Sequence, residues 1–145
     1  MLKKDGIDVQ LKKSEYMPGL VLNAEEDIKI DSVLSNPFFR GFNFLNLSKK
    51  FKGIRQNEDL KKAFNPNVIK TGIKADLNEK QYIIFIPEKK FSNDERLFNI
   101  ENIYGPKDMI EPVFVNLGLK DVKIHKGEQL GVILIQSIIS DGMLN

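Results

Sequence analysis

The 145-residue sequence contains no cysteine and no tryptophan, and it has a single histidine. The lack of cysteine excludes disulfides, thiolate metal ligands and cysteine nucleophiles. The 22 basic and 20 acidic residues leave a net charge of only +2, so charge alone gives no argument for binding nucleic acid or a membrane. No apolar run is long enough to span a bilayer, and no signal peptide is visible. The sequence therefore predicts one soluble, intracellular domain.

Short alternating or β-branched segments recur along the chain at intervals of roughly ten residues. They are residues 7–12, 20–22, 28–30, 68–75, 82–86, 113–115, 122–125 and 130–135. Turns rich in Gly, Pro and Asn separate most of them, which is typical of an all-β barrel or jelly roll. We therefore predict a single all-β domain over residues 1–145.

One segment, residues 35–67, breaks this pattern and is interpreted as an insertion in the barrel. It holds six of the ten phenylalanines, and seven basic residues against two acidic ones give it a net charge of +5. The total of +2 then leaves −3 for the rest of the chain. Within the insertion, residues 57–64 predict a short helix with Asn57 as its N-cap.

The aromatic cluster of this insertion supplies candidate residues for contact with a partner protein. Aromatic side chains and arginine dominate the energetics of protein interfaces. The candidates are Phe38, Phe39, Arg40, Phe42 and Phe44. Alternatively, these rings pack onto the barrel. Binding of single-stranded nucleic acid by stacking is disfavoured because the rest of the chain is acidic.

Several segments resemble motifs of the trimeric dUTPase and dCTP deaminase superfamily. Residues 18–30, PGLVLNAEEDIKI, resemble the first motif, A-G-x-D-L-x-A-x-x-D-x-x-I, and residues 71–73, TGI, resemble a strand before the second motif. Residues 116–118, NLG, and 124–130, IHKGEQL, resemble the N-x-G and I-x-x-G-D-R-I signatures. The resemblance implies a distorted jelly-roll β-barrel that assembles as a homotrimer around a threefold axis.

The final strand is apolar on both of its faces, so it must be buried on both. The resemblance implies that its second face packs against neighbouring subunits. The candidate trimer-packing residues are Leu130, Val132, Ile133, Leu134 and Ile135. The alternative is a central strand in an isolated sandwich.

The resemblance also implies where catalytic residues would lie, and two of the motifs lack them. The superfamily hydrolyses or deaminates nucleoside triphosphates with a water-activating acid, Arg and Ser phosphate donors, an aromatic ring and Mg²⁺. The first-motif acid falls at Val21, and the P-R-S-G phosphate motif falls at residues 87–90, with Glu88 in place of arginine. Lys89 and Lys90 could partly offset that negative charge.

The third motif, I-D-x-x-Y-x-G, has two possible registers. The one we prefer places Glu101 at the acid and Tyr104 at the ring, and it needs a two-residue insertion before the next strand. The ungapped alternative places Ile103 and Pro106 at these positions. The glycine- and arginine-rich C-terminal arm of dUTPases has no counterpart in this sequence.

These departures predict a protein with no catalytic residues, no cofactor and no metal, and with His125 at the surface. The predicted function is a non-enzymatic, homotrimeric structural protein that docks onto partner proteins. We expect it to be a capsid, portal-tail or decoration component of a phage or viral particle, located in the virion or in the cytoplasm of an infected cell. The alternatives are a divergent dUTP- or dCTP-hydrolysing enzyme that uses Glu101 and Tyr104, and a nucleotide-binding regulator.

Overall fold

The computed structural model describes residues 1–35 and 64–139, and these ranges are almost entirely β-structure. The strands are β1 (Leu2–Lys4), β2 (Ile7–Val9), β3 (Leu20–Asn23), β4 (Ile28–Ile30), β5 (Asn67–Val68), β6 (Ile73–Ala75), β7 (Gln81–Pro87), β8 (Leu97–Glu101), β9 (Ile103–Tyr104), β10 (Val113–Asn116), β11 (Val122–Ile124) and β12 (Gln129–Ser137). A five-residue helix, α1 (Lys89–Asn93), follows β7, and a 3-10 turn (Val33–Ser35) precedes the insertion. The all-β prediction is confirmed.

All strand pairs within the described ranges are antiparallel, and they form four small sheets. Their strand orders are β2-β1-β6, β5-β10-β8, β11-β4 and β3-β12-β7-β9. Strand β12 is central in the largest sheet, where it pairs with β3 on one side and with β7 along its length on the other. The predicted strands at residues 82–86 and 130–135 therefore form the middle of this sheet, and the predicted strand at residues 20–22 forms one of its edges.

A tight hairpin joins β1 to β2 at the start of the chain. Its two turn residues, Asp5 and Gly6, have φ angles of 51° and 79°, as a type I′ turn requires. Lys4 pairs with Ile7 across it, and β1 also pairs with β6. The sequence analysis missed β1, because three residues are too few to establish an alternating pattern.

The barrel encloses one core of aliphatic and aromatic side chains from all four sheets. Leu22, Ile83, Leu130 and Ile133 are completely buried there. Phe114 lies at its centre, with ring centroids 6.4 Å from Phe85 and 5.4 Å from Phe91.

Besides β1, three elements were not predicted: helix α1 and strands β8 and β9. Helix α1 buries only Phe91, so it has no helical periodicity to detect. The predicted helix at residues 57–64 lies outside the described residues except for Phe64. No helix in the described part of the chain is long and apolar enough to cross a membrane.

Candidate functional site

The position of the first-motif acid is occupied by Val21, which belongs to an apolar surface. Val132 lies directly opposite Val21 on β3 and opposite Ile86 on β7. One row further along, Leu134 pairs with Ile84, which in turn pairs with Ile103. Residues opposite one another, and alternate residues of one strand, share a face. We call the apolar part of this surface the outer face; it is formed by Val21, Ile84, Ile86, Ile103, Val132 and Leu134, and the polar residues Asn23, Tyr82 and Gln136 border it on the same side of the sheet. It has no group that could activate water.

The position of the phosphate motif carries a carboxylate that is already bonded. Glu88 directly follows β7, and its Oε1 accepts a 2.5 Å hydrogen bond from Nε2 of Gln129 at the start of β12. Its backbone N–H donates to the carbonyl of Leu130 at 2.9 Å. This pairing fixes a negative charge where a phosphate would need a cationic donor.

The neighbouring lysine does not restore a phosphate site. Lys90 Nζ lies 3.5 Å from Glu128 Oε2 and 5.0 Å from the centroid of the Phe91 ring. Its charge is therefore directed to a carboxylate of its own chain.

The preferred register of the third motif is not supported by the position of its tyrosine. Tyr104 is 2% exposed, its hydroxyl donates to the carbonyl of Glu101 at 3.2 Å, and burial raises the pKa of the phenol. A ring enclosed in the core cannot stack on a base. The connecting turn lies at residues 105–108, where the N–H of Asp108 donates to the carbonyl of Gly105.

The predicted trimer-packing residues separate into two groups. Leu130, Val132 and Ile133 are 0% exposed in the single chain, and Leu130 and Ile133 belong to its core. Leu130 and Ile133 are therefore not available to a neighbouring subunit, and Val132 lies on the outer face but has no exposed surface of its own in the single chain. Leu134 is half-buried, and Ile135 is 38% exposed on the opposite face of β12. The residue that the sequence analysis missed is Ile103, which leaves 62% of its surface exposed on the outer face.

The candidate partner-interface residues Phe38, Phe39, Arg40, Phe42 and Phe44 lie outside the described residues. The segment that precedes them is fixed at its base by Asp121. The Asp121 carboxylate accepts from the N–H of Ser32 at 2.7 Å and from the hydroxyl of Ser35 at 2.6 Å, and it pairs with Lys29 at 3.2 Å. The hydrogen bond from Ser32 contributes most to the lowered pKa of Asp121. The insertion therefore leaves the barrel from a defined point.

The remaining candidates for chemistry do not converge. His125 is exposed and lies 3.9 Å from Asp27, so the prediction of a surface histidine is confirmed. In residues 1–35 and 64–139, no group of three or more His, Asp or Glu side chains is arranged to hold a metal ion.

Comparison with known proteins identifies the fold. No protein-family model and no curated protein matches the sequence. Among solved structures, the dUTPase of EIAV matches with a TM-score of 0.61 and 13% identity, covering 97% of this chain and 89% of that one. A dUTPase of the S. aureus phage phi11 gives 0.63 and 9%, covering 97% and 91%. The dUTPase of Streptococcus mutans gives 0.58 and 11%, covering 89% and 84%.

The chain therefore has the dUTPase fold, as the resembling motifs predicted. Identities of 9 to 13% show the fold alone. Function has to be argued from the residues that occupy the site.

Proposed function

We propose that this protein is a non-enzymatic, homotrimeric structural protein with the dUTPase fold, which docks onto other proteins of a phage or viral particle. The observation that carries the proposal is the place of Val21. The position of the family's acid has become part of a continuous apolar surface, the outer face. A surface of this kind favours packing against another protein over binding a charged nucleotide.

The outer face supports the homotrimer because it gives the four-stranded sheet a second apolar side. The inner side of the sheet is covered by the core, with Ile83, Phe85 and Ile133 completely buried or nearly so. Ile103 is largely exposed and Leu134 partly exposed on the other side. A second copy of the chain would cover them, as in the threefold assembly of the superfamily that the motifs resemble.

The insertion supports docking onto a partner. Residues 35–67 combine six phenylalanines with a net charge of +5, whereas the rest of the chain carries −3. Phe38, Phe39, Arg40, Phe42 and Phe44 supply the aromatic and arginine side chains typical of interface hot spots. The matches to phage dUTPases are compatible with a phage particle as the setting.

We expect the purified protein to have three times its monomer mass of 16.6 kDa, and Leu134→Glu to shift it to the monomer. In a single chain the new carboxylate reaches water from a half-buried position, but in a trimer it would be buried without a partner, which is strongly unfavourable. Light scattering after size exclusion measures both masses.

The matched control is Val115→Glu, which places the same charge at a half-buried strand position on β10, outside the outer face. It should remain trimeric. A wild-type monomer at micromolar concentration contradicts the homotrimer, and dissociation of both variants contradicts the assignment to the outer face.

We expect no pyrophosphate release from dUTP or dCTP with Mg²⁺, and no heat on titration with a non-hydrolysable dUTP analogue. The acid position holds Val21, and Glu88 would repel the phosphates. Turnover that disappears in Glu101→Gln would establish the divergent enzyme instead. Binding without turnover would establish the nucleotide-binding regulator.

A further inference from the structure

The turn that follows helix α1 contains a buried carboxylate oxygen without a partner. Oε2 of Glu95 is shielded from solvent and forms no hydrogen bond, and it is the only such side-chain atom among the described residues. An ionised oxygen in this state loses its hydration without gaining a compensating bond. The nearby cation, Lys90, is directed to Glu128.

Charged groups approach Glu95 from each element around it. Lys90 comes from α1, Asp94 from the same turn, and Glu128 from the turn before β12. Burial is the main cause of the raised pKa of Glu95; Lys90 opposes the rise, whereas Glu128 and Asp94 reinforce it. The adjoining cavity, of about 360 Å³, is also lined by Arg96, Lys120, Asp121 and Lys123.

The backbone fixes Glu95 in this position. The next residue, Arg96, adopts a left-handed conformation with φ of 57°, and its carbonyl accepts a 3.0 Å hydrogen bond from the N–H of Leu117. A Cβ at Gly118 would lie only 3.1 Å from the carbonyl oxygen of Glu95, so the two turns are in close contact. The backbone at Glu95 is therefore held by its contacts with the turn at residues 116–118, and the side chain as a whole is half-buried.

We propose that Glu95 is a proton-binding residue, which makes the corner between α1, residues 116–118 and the turn before β12 more stable in mild acid. At neutral pH Oε2 of the ionised carboxylate has no hydrogen-bond partner, and the carboxylate is attracted by Lys90 but repelled by Glu128 and Asp94. Uptake of one proton from solvent removes that repulsion and converts a carboxylate oxygen into a hydroxyl donor. The proposal does not depend on the proposed function.

The pH window follows from the direction of the shift. The pKa of Glu95 is raised in the folded chain, so its ionisation costs stability above that pKa, and the cost is removed as pH falls through it. Asp76 and Asp121 have lowered pKa values, so the stability that they contribute is lost only below about pH 5. Asp76 and Asp121 therefore stay ionised from about pH 7.5 down to about pH 5, and the part of the acid response in this interval that Glu95→Gln removes belongs to Glu95.

We expect Glu95→Gln to raise the thermal midpoint at about pH 7.5 by roughly 2 to 6 °C and to be much less stabilised by acid than the wild type. The matched control is Glu79→Gln, at an exposed turn position, which should retain the wild-type acid response. An unchanged or lowered midpoint in Glu95→Gln at about pH 7.5, or an undiminished acid response, would overturn the proposal.

A titration of the wild-type protein provides a second test that does not depend on how the variant folds. NMR of the side-chain carboxyl carbon of Glu95 should give a midpoint above the ordinary glutamate value of about 4.3. A midpoint at or below that value would refute the proposal.

Discussion

Gly131→Ala is expected to destabilise the protein by about 3 kcal/mol, the upper end of the usual cost of overpacking, because the added methyl group has no space between two strands. A Cβ at this position would lie 2.1 Å from the carbonyl oxygen of Ile86 and 2.8 Å from Cα of Pro87. Both are backbone atoms, so β12 and β7 would have to separate where they pair. Small domains are stable by only about 5–15 kcal/mol, so we expect a large fall in the denaturant midpoint.

The control for this substitution is Gly105→Ala. Its Cβ would lie 3.2 Å from Oδ2 of Asp108, a side-chain atom. A small shift of Asp108 weakens the hydrogen bond of 2.6 Å that Oδ2 accepts from the N–H of Gly105, but no strand has to move. We expect a change several times smaller than that of Gly131→Ala. Equal effects of the two substitutions would show that the close approach of β12 to β7 does not restrict this position.

Phe114→Ala is expected to cost about 3–5 kcal/mol in the free energy of unfolding, because it leaves a cavity in the middle of the core. The ring is 0% exposed and packs edge-on against Phe85 and at a tilt against Phe91. It thereby joins β10 to β7 and to helix α1. Urea unfolding followed by circular dichroism measures the loss.

Phe98→Ala is the matched control, since Phe98 lies on the neighbouring strand β8 and is 39% exposed. It should cost much less, because a partly exposed ring loses less buried area and leaves no closed cavity. A loss below about 1.5 kcal/mol for Phe114→Ala would contradict the central place of this ring in the core.

The strands that could be predicted from the sequence are those whose pattern is set by burial. β7 and β12 are continuous β-branched and aliphatic runs because both of their faces are at least partly covered. β8 was missed because its exposed face carries Phe98 and Ile100, which obscures the alternation.

The sequence showed which motif residues are missing from the candidate site, but not which side chains are in contact there. Val21 and Glu88 could be read directly from the sequence as departures from the motifs. Glu88 and Gln129 are 41 residues apart, so their hydrogen bond follows only from the pairing of β7 with β12. Glu101 and Tyr104 have the spacing of the acid and the ring in the third motif. In the structure, however, the pleat of β9 points Tyr104 into the core and Ile103 outward.

The central position of β12 also determines when the barrel can close during synthesis. Its partner β3 lies about a hundred residues earlier in the chain. Strands β3 and β7 have no strand between them until β12 has emerged from the ribosome. Pairing across such a distance costs loop-closure entropy before any stabilising contacts form. The hairpin of β1 and β2 can form early, whereas the largest sheet assembles only after translation has passed residue 137.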